Sequence, residues 1–270
     1  MSAPAVLYSK EGHVATVVMN RPEVKNALNG EMLVRLADAW QDINDDENIR
    51  AAILTGAGDD AFCAGADLDR LVGMMQGKRP PETDFDKRII DDFTIIYKGL
   101  MRSYDLVKPL IAAVRGYCIA GGSEILQTTD IRVAGESSRF AIAEVKHSLF
   151  PMGGSTVRLP RQIPYCRAME ILLAGEQFSA ADALQWGFIN KVVPDADVMK
   201  EARRYADVIA QNGPLAVQAV KRSVLAALGR PTAEGLQSEH EIGVPVAMSA
   251  DAKEGTRAFK EKRRAVYHGR

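Results

Sequence analysis

The chain has 270 residues, 47% of them apolar and 26% charged, which suffices for a sizeable core in one large domain or in one domain with an appendage. With 34 basic against 35 acidic residues the formal net charge is -1, which gives no global electrostatic case for nucleic acid or an anionic membrane and leaves room for a local basic patch that takes a small anionic ligand. No run reaches the roughly 18 apolar residues of a membrane span, and the N-terminal MSAPAVLYSKEGHVATVV lacks the basic-then-apolar pattern of a leader, so a cytoplasmic location is expected.

Taken in order, AVLYS and HVATVVM over residues 5–19 predict two strands joined in a hairpin at Glu11-Gly12. RPEVKNALNG then breaks the pattern. From Glu31 to Asn44, the residues Met32, Leu33, Leu36, Trp40 and Ile43 recur at helical spacing. AAILTG (51–56) is an apolar run closed by glycine and reads as a buried strand, followed by a loop, GAGDDAFCAGADL. Residues 70–88, with Gly73, Gly77, Pro80 and Pro81, are the least patterned stretch and predict a mobile loop.

Ile89 to Leu106 predicts a helix and PLIAAV (109–114) a second buried strand. RGYCIAGGSEILQTTD reads as a turn entering a short helix near Gly121, and IRVAG and SRFAIA as brief strands. Ser179 with Asp182 three residues on opens a capped helix that Gly187 closes, and FINKVV (188–193) predicts a last strand. Beyond it come helices broken near Gly213-Pro214, Gly229-Arg230-Pro231 and Ser249. The order predicts an α/β architecture over 1–196 with a helical module over 197–270.

Several chemistries lack their signatures. There is no GxxxxGK[ST], no GxGxxG between strand and helix and no HExxH. His13, His147, His240 and His268 lie far apart without ligand spacing, so no metal site is expected. Cys63, Cys118 and Cys166 form no CxxC and predict reduced thiols. GGSEI around Ser123 fails the GxSxG nucleophile elbow because Ile125 stands where the closing glycine belongs.

Two small-residue turns remain, each after a buried strand: Ala64-Gly65-Ala66-Asp67-Leu68 and Ala120-Gly121-Gly122-Ser123-Glu124. Small residues let the backbone itself approach a ligand, and two N–H groups converging on one oxygen would make an oxyanion hole. The second turn also opens a helix, whose N-terminus favours negative charge.

At these residues the sequence resembles the enoyl-CoA hydratase/isomerase (crotonase) superfamily. FCAGADL is similar to its first oxyanion motif and YCIAGGSEIL to its second. The resemblance continues through RPEVKNAL (21–28), FAIAEVKHSLFPMGGST (140–156), LLAGEQFSAADALQWGFINKVV (172–193) and the C-terminal AFKEKRRAVYHGR.

It implies a spiral of ββα units followed by a C-terminal helical module for oligomerisation, with a homotrimer or dimer of trimers as the assembly. It implies that the amides of Ala66 and Gly121 are the oxyanion donors, and that Glu124 and Glu144 hold a catalytic water. Glu124 would help activate that water and Glu144 would exchange the Cα proton. For coenzyme A, which enters as part of the substrate with no separate cofactor, it points to Val24, Lys25, Asn26, Ala27, Leu28, Ala64, Asp67 and Leu68. Phe259 and Lys262 match residues that reach coenzyme A, often from a neighbouring subunit. Arg70, Lys78 and Arg79 are weaker candidates, and Met74, Met75, Leu149, Phe150 and Met152 are candidate acyl-pocket linings.

The sequence departs from the hydratase pattern at Ala120, Ala143, Met152 and Lys146-His147-Ser148, which flank the expected acyl pocket. The expected reaction is reversible syn hydration of a trans-2-enoyl-CoA to a 3-hydroxyacyl-CoA, in fatty acid or related acyl-CoA degradation. The same scaffold would also suit isomerisation, dehydration of another hydroxyacyl-CoA, thioester hydrolysis, or non-catalytic binding of a CoA ester or RNA.

Overall fold

The computed structural model describes residues 3–270; Met1 and Ser2, the start of the stretch read for a leader, lie outside the described residues. The hairpin forms as expected, with β1 (Val6–Glu11) antiparallel to β2 (Val14–Met19). The chain then runs through helix α1 (Gly30–Asp45), capped by Asn29, into β3 (Ala51–Gly56) and β4 (Ala61–Cys63). A π turn over Leu68–Val72 leads through α2 (Gly73–Met75), α3 (Asp84–Asp91) and α4 (Thr94–Gly99) to β5 (Leu110–Val114) and β6 (Tyr117–Ile119). Next come α5 (Gly121–Leu126), β7 (Ile131–Gly135), β8 (Arg139–Ala141), α6 (Ser155–Gln162) and α7 (Tyr165–Ala174). After β9 (Phe178–Ser179), α8 (Ala180–Gln185) and β10 (Lys191–Val193), the chain is helical: α9 (Val198–Gln211), α10 (Pro214–Ala227), α11 (Thr232–Ala247) and α12 (Ala250–Lys260).

The strands form two sheets, β1-β2-β3-β5-β7-β10 and β4-β6-β8-β9. Each of β3, β5 and β7 runs in the first sheet and is followed at once by β4, β6 or β8 in the second, which produces stacked ββα turns. β3 and β5 are buried along their whole length, as continuous apolar runs in a parallel sheet should be. Their alternation divides them between two cores. Ala52, Leu54, Leu110 and Ala112 face the cluster that includes α1, whereas Ala51, Ile53, Ile111 and Ala113 face Val198, Ala202, Ala206 and Ala210 of α9.

That packing moves the structural division of the chain. α9 belongs to the sheet's second face, so a boundary at 196/197 cuts through one core, and the helices that project from it are α10 to α12.

Other expectations shift for local reasons. The 89–106 helix is interrupted at Asp92, whose side chain accepts from the Thr94 amide (2.9 Å) and hydroxyl (2.5 Å), drawing the backbone out of helix; α4 ends at Gly99. The 70–88 stretch is more structured than its composition suggests. Arg79 pairs with Asp69 and Glu82, and Thr83 and Asp86 form a capping box for α3. The final strand is trimmed to Lys191–Val193, because the Phe188 and Ile189 amides close α8 on the Ala183 carbonyl and Phe188 enters an aromatic cluster with Phe140 and Phe178. β4 and β6 arise inside segments that read as a loop and a turn, and β9 at the capped helix start at Ser179.

Candidate active site

β4 and β6 are parallel neighbours with Cys63 opposite Cys118, so the turns that leave them lie side by side. Leu28 locks the first turn: its amide donates to the Gly65 carbonyl at 2.8 Å and its carbonyl accepts from Asp67 at 2.9 Å. The Ala66 amide between them, and the Gly121 amide across the gap, find no acceptor among the described residues. A Cβ added at Gly121 would stand 3.6 Å from the Ala66 nitrogen, and one at Gly65 would stand 2.8 Å from the Ala120 Cβ, so Gly65 (φ 97°) has to be glycine for the turns to approach. Ala120 holds φ 50°, ψ -122°, a strained setting for an alanine and a sign that the turn is over-determined by its surroundings. α5 is only six residues long, which leaves these two amides rather than a long helix dipole as the source of positive potential.

The amides open onto a cavity of about 390 Å³. Its walls carry Leu28, Ala64, Ala66, Leu68, Gly121, Glu124 and Glu144, which brings both expected carboxylates and both expected donors to one space. Glu124 is 5% exposed. Burial raises its pKa, opposed by the Ser155 and Gly153 amides, the Ser155 hydroxyl and the Arg158 charge. The Ser155 amide lies 3.3 Å from Oε1, and a Cβ at residue 153 would meet Oε2 at 2.5 Å, so glycine at 153 makes room for the carboxylate. Glu144 is served only by its own backbone amide. Its Oε2 is buried without a hydrogen-bond partner, and burial together with the Glu124 charge pushes its pKa up to about 7.

The two carboxyls therefore share a field in which one is surrounded by donors and the other is not. Burial raises both carboxyls, and the surroundings of Glu144 favour its protonated form more than those of Glu124 do.

The residues expected to meet coenzyme A divide between the cavity wall and the structure around it. Leu28, Ala64 and Leu68 line the cavity, while Val24, Lys25 and Ala27 lie behind them on the segment whose Lys25 carbonyl accepts from the Ala64 amide. Lys25 packs its ammonium 4.7 Å from the Tyr117 ring centre. Asn26 is fully buried and bridges the Arg21 amide to the Ala57 and Ala61 carbonyls, which is a scaffold role. The Asp67 carboxylate pairs with Arg21 at 2.9 Å and accepts from the Arg70 amide at 2.9 Å, so it braces the loop. Arg70 pairs with Glu82. Phe259, 84% exposed on α12, and Lys262 just beyond that helix do not line the cavity.

Met75, Leu149, Phe150 and Met152, candidate acyl-pocket linings, line the same cavity, whereas Met74 is packed in the core. Among the described residues no cluster of three or more His, Cys, Asp or Glu side chains is placed to hold a metal.

The sequence profile of the family described as enoyl-CoA hydratase/isomerase matches residues 9–270. The chain belongs to this family. It is 47% identical to enoyl-CoA hydratase EchA19 of Mycobacterium tuberculosis, over 100% of this chain and 98% of that one. It is 36% identical to (E)-benzylidenesuccinyl-CoA hydratase of Thauera aromatica, over 95% and 96%. Among solved structures, enoyl-CoA hydratase EchA1 of Mycobacterium marinum superposes with a TM-score of 0.88 at 35% identity, over 99% of this chain and 100% of that one.

Within the enoyl-CoA hydratase/isomerase frame, motif reading missed one whole wall of the cavity. Phe93, Ile96, Tyr97 and Leu100 line it from the α4 region. Their spacing of three, four and seven residues is the signature of one helical face, and that signal was present in the sequence. Gly153, Ser155 and Arg158, which surround Glu124, carry no comparable local signal.

Proposed function

We propose that the chain catalyses reversible syn addition of water to a trans-2-enoyl-CoA, giving a 3-hydroxyacyl-CoA. One observation carries the reading: Glu124 and Glu144 line the same cavity as the unpaired amides of Ala66 and Gly121. The names of the two curated relatives, both hydratases of CoA esters, support water addition over isomerisation.

In this reaction the thioester oxygen accepts from the two amides, so that negative charge developing there is met by fixed donors. One such donor is typically worth roughly 2.7–4 kcal/mol of barrier. Glu124, ionised, takes a proton from water as its oxygen bonds to Cβ. The Cα=Cβ electrons move towards the thioester oxygen as the enolate forms, and Glu144 delivers its proton to Cα as the enolate collapses. The pair begins and ends with one proton, now on the other carboxyl, and dehydration runs the same transfers backwards.

The finer assembly belongs to the same proposal. Val220, Val224, Leu225 and Leu228 of the α10 segment, and Leu236, Val244 and Met248 of the α11 segment, are exposed, an apolar surface suited to burial against copies of the chain in a homotrimer or dimer of trimers. Phe259 and Lys262 would then reach coenzyme A across subunits.

The test follows enoyl-thioester absorbance in wild type, Glu124→Gln and Glu144→Gln. Each variant should lose roughly 10²–10⁴-fold in kcat, and the wild-type product should gain one water by mass. Unchanged rates in both variants, or a product of unchanged mass, would exclude the mechanism.

A further inference from the structure

Gln127 follows α5 one turn beyond Glu124 and is buried. Its Nε2 donates to the Ser123 carbonyl at 3.1 Å and to the Ser155 hydroxyl oxygen at 2.8 Å. A carbonyl only accepts, so the amide cannot be turned over, and Nε2 rather than Oε1 must face Ser155. Ser155 is fully buried, its oxygen takes the Gln127 hydrogen, and its own proton has to leave on another side. No hydrogen bond donated by that hydroxyl forms among the described residues, and the polar group beside it is the Glu124 carboxylate, on whose Oε1 the Ser155 amide converges at 3.3 Å.

The backbone at the far end is anchored. Gln162 donates to the main-chain carbonyl of Gln127 at 2.8 Å and accepts at 2.9 Å from the buried guanidinium of Arg132, while the side-chain Oε1 of Gln127 is buried without a hydrogen-bond partner among the described residues.

We propose that Gln127 and Ser155 form a one-directional hydrogen-bond relay that presents only donors to Glu124, and so holds that carboxylate ionised and aimed at the water. The proposal deepens the hydratase reading and rests on it. Both are positioning residues: Gln127 acts through Ser155, and Ser155 through Glu124. The relay explains why two carboxyls in one cavity differ, since Glu144 meets no side-chain donor and has only its own amide. The other titratable or charged groups around Glu124 are Glu144 across the cavity, Arg158 from α6, His147 on the cavity wall, and the thiols of Cys63 and Cys118 in the strands beneath. Both thiols are kept neutral by burial, and Arg158 is fixed by the Gly153 and Met101 carbonyls, so neither changes when the relay is cut.

The experiment compares pH profiles of kcat/KM, kcat and KM, and thermal melts, for wild type, Ser155→Ala, Gln127→Met and Ser155→Thr. Ser155→Ala removes the hydroxyl and keeps the amide; Gln127→Met keeps the bulk and removes the donor. In Ser155→Ala the acid limb of kcat/KM should move up by about 0.5–1 pH unit, with kcat at neutral pH down roughly tenfold and KM within about twofold. Gln127→Met should move it in the same direction by less, and Ser155→Thr, which keeps a hydroxyl, should restore the wild-type limb. An acid limb unmoved in both Ser155→Ala and Gln127→Met, with activity falling only in step with the folded fraction, overturns the relay. If Glu124→Gln still loses activity in that case, the hydratase reading survives alone. Wild-type activity in Glu124→Gln would remove both.

Discussion

Glu144 is held in a setting that suits its chemistry and costs the fold. Its carboxyl is buried, its Oε2 has no donor, and its pKa stands at about 7 against an ordinary value of 4.5. Between those two values the folded protein binds the proton that the unfolded chain has lost, so this group's contribution to stability falls as pH rises through the window. Glutamine at 144 cannot ionise and removes that dependence. Glu144→Gln should therefore melt higher than wild type at pH 8, by a stability difference on the order of 2 kcal/mol, and match it near pH 4.5, while losing activity. Equal melting temperatures at pH 8 would show that Glu144 is solvated in the folded state. Glu124 was legible in the sequence because it sits in the second small-residue turn, and Glu144 because FAIAE resembles the family's pattern. Their inequality was not, since it depends on Gly153, Ser155 and Gln127, side chains that meet Glu124 only through folding.

At the scale of elements, the long buried strands and amphipathic helices were readable because their apolar period persists over a full element. AAILTG became β3, and the capped start at Ser179 became α8 with its capping box. The short strands β4, β6 and β9, of two or three residues, are too brief for any period to register, and only pairing in the second sheet defines them. The acyl wall was hidden differently: Asp92 and Thr94 break the predicted long helix, yet Phe93, Ile96, Tyr97 and Leu100 still present one face to the cavity. That wall should set chain-length preference. Each added methylene buried there is worth about 0.8 kcal/mol, or roughly fourfold in kcat/KM, until the cavity is filled. Phe93→Ala and Ile96→Ala should lower kcat/KM on the longer members of a graded enoyl-CoA series and leave the four-carbon substrate nearly unchanged. A uniform loss across the series would place the acyl group elsewhere.

For the whole molecule, one sheet serves two cores. Its first face, with α1, supports the turns that carry the amides; its second is closed by the alanine stripe of α9. The helices beyond α9 leave a large apolar surface uncovered, the surface that the proposed assembly would bury. Sedimentation of the wild type should give three or six copies, and Leu225→Asp combined with Leu228→Asp should yield smaller species. A monodisperse monomer with full activity would remove the assembly from the account. The four-helix run after residue 197 was legible from its breakers, Gly213-Pro214, Gly229-Arg230-Pro231 and Ser249, each of which separates two helices. What α9 packs against was not legible, because a helix's own spacing does not say which sheet face lacks a partner.

The central claim concerns one oxygen atom and four groups of the protein. A crystal structure with a bound 3-hydroxyacyl-CoA tests it most directly. The thioester oxygen should lie about 2.7–3.1 Å from both the Ala66 and Gly121 nitrogens, with the 3-hydroxyl between the Glu124 and Glu144 carboxyls. A thioester oxygen bound away from either amide, or a hydroxyl that meets neither carboxyl, would contradict the account.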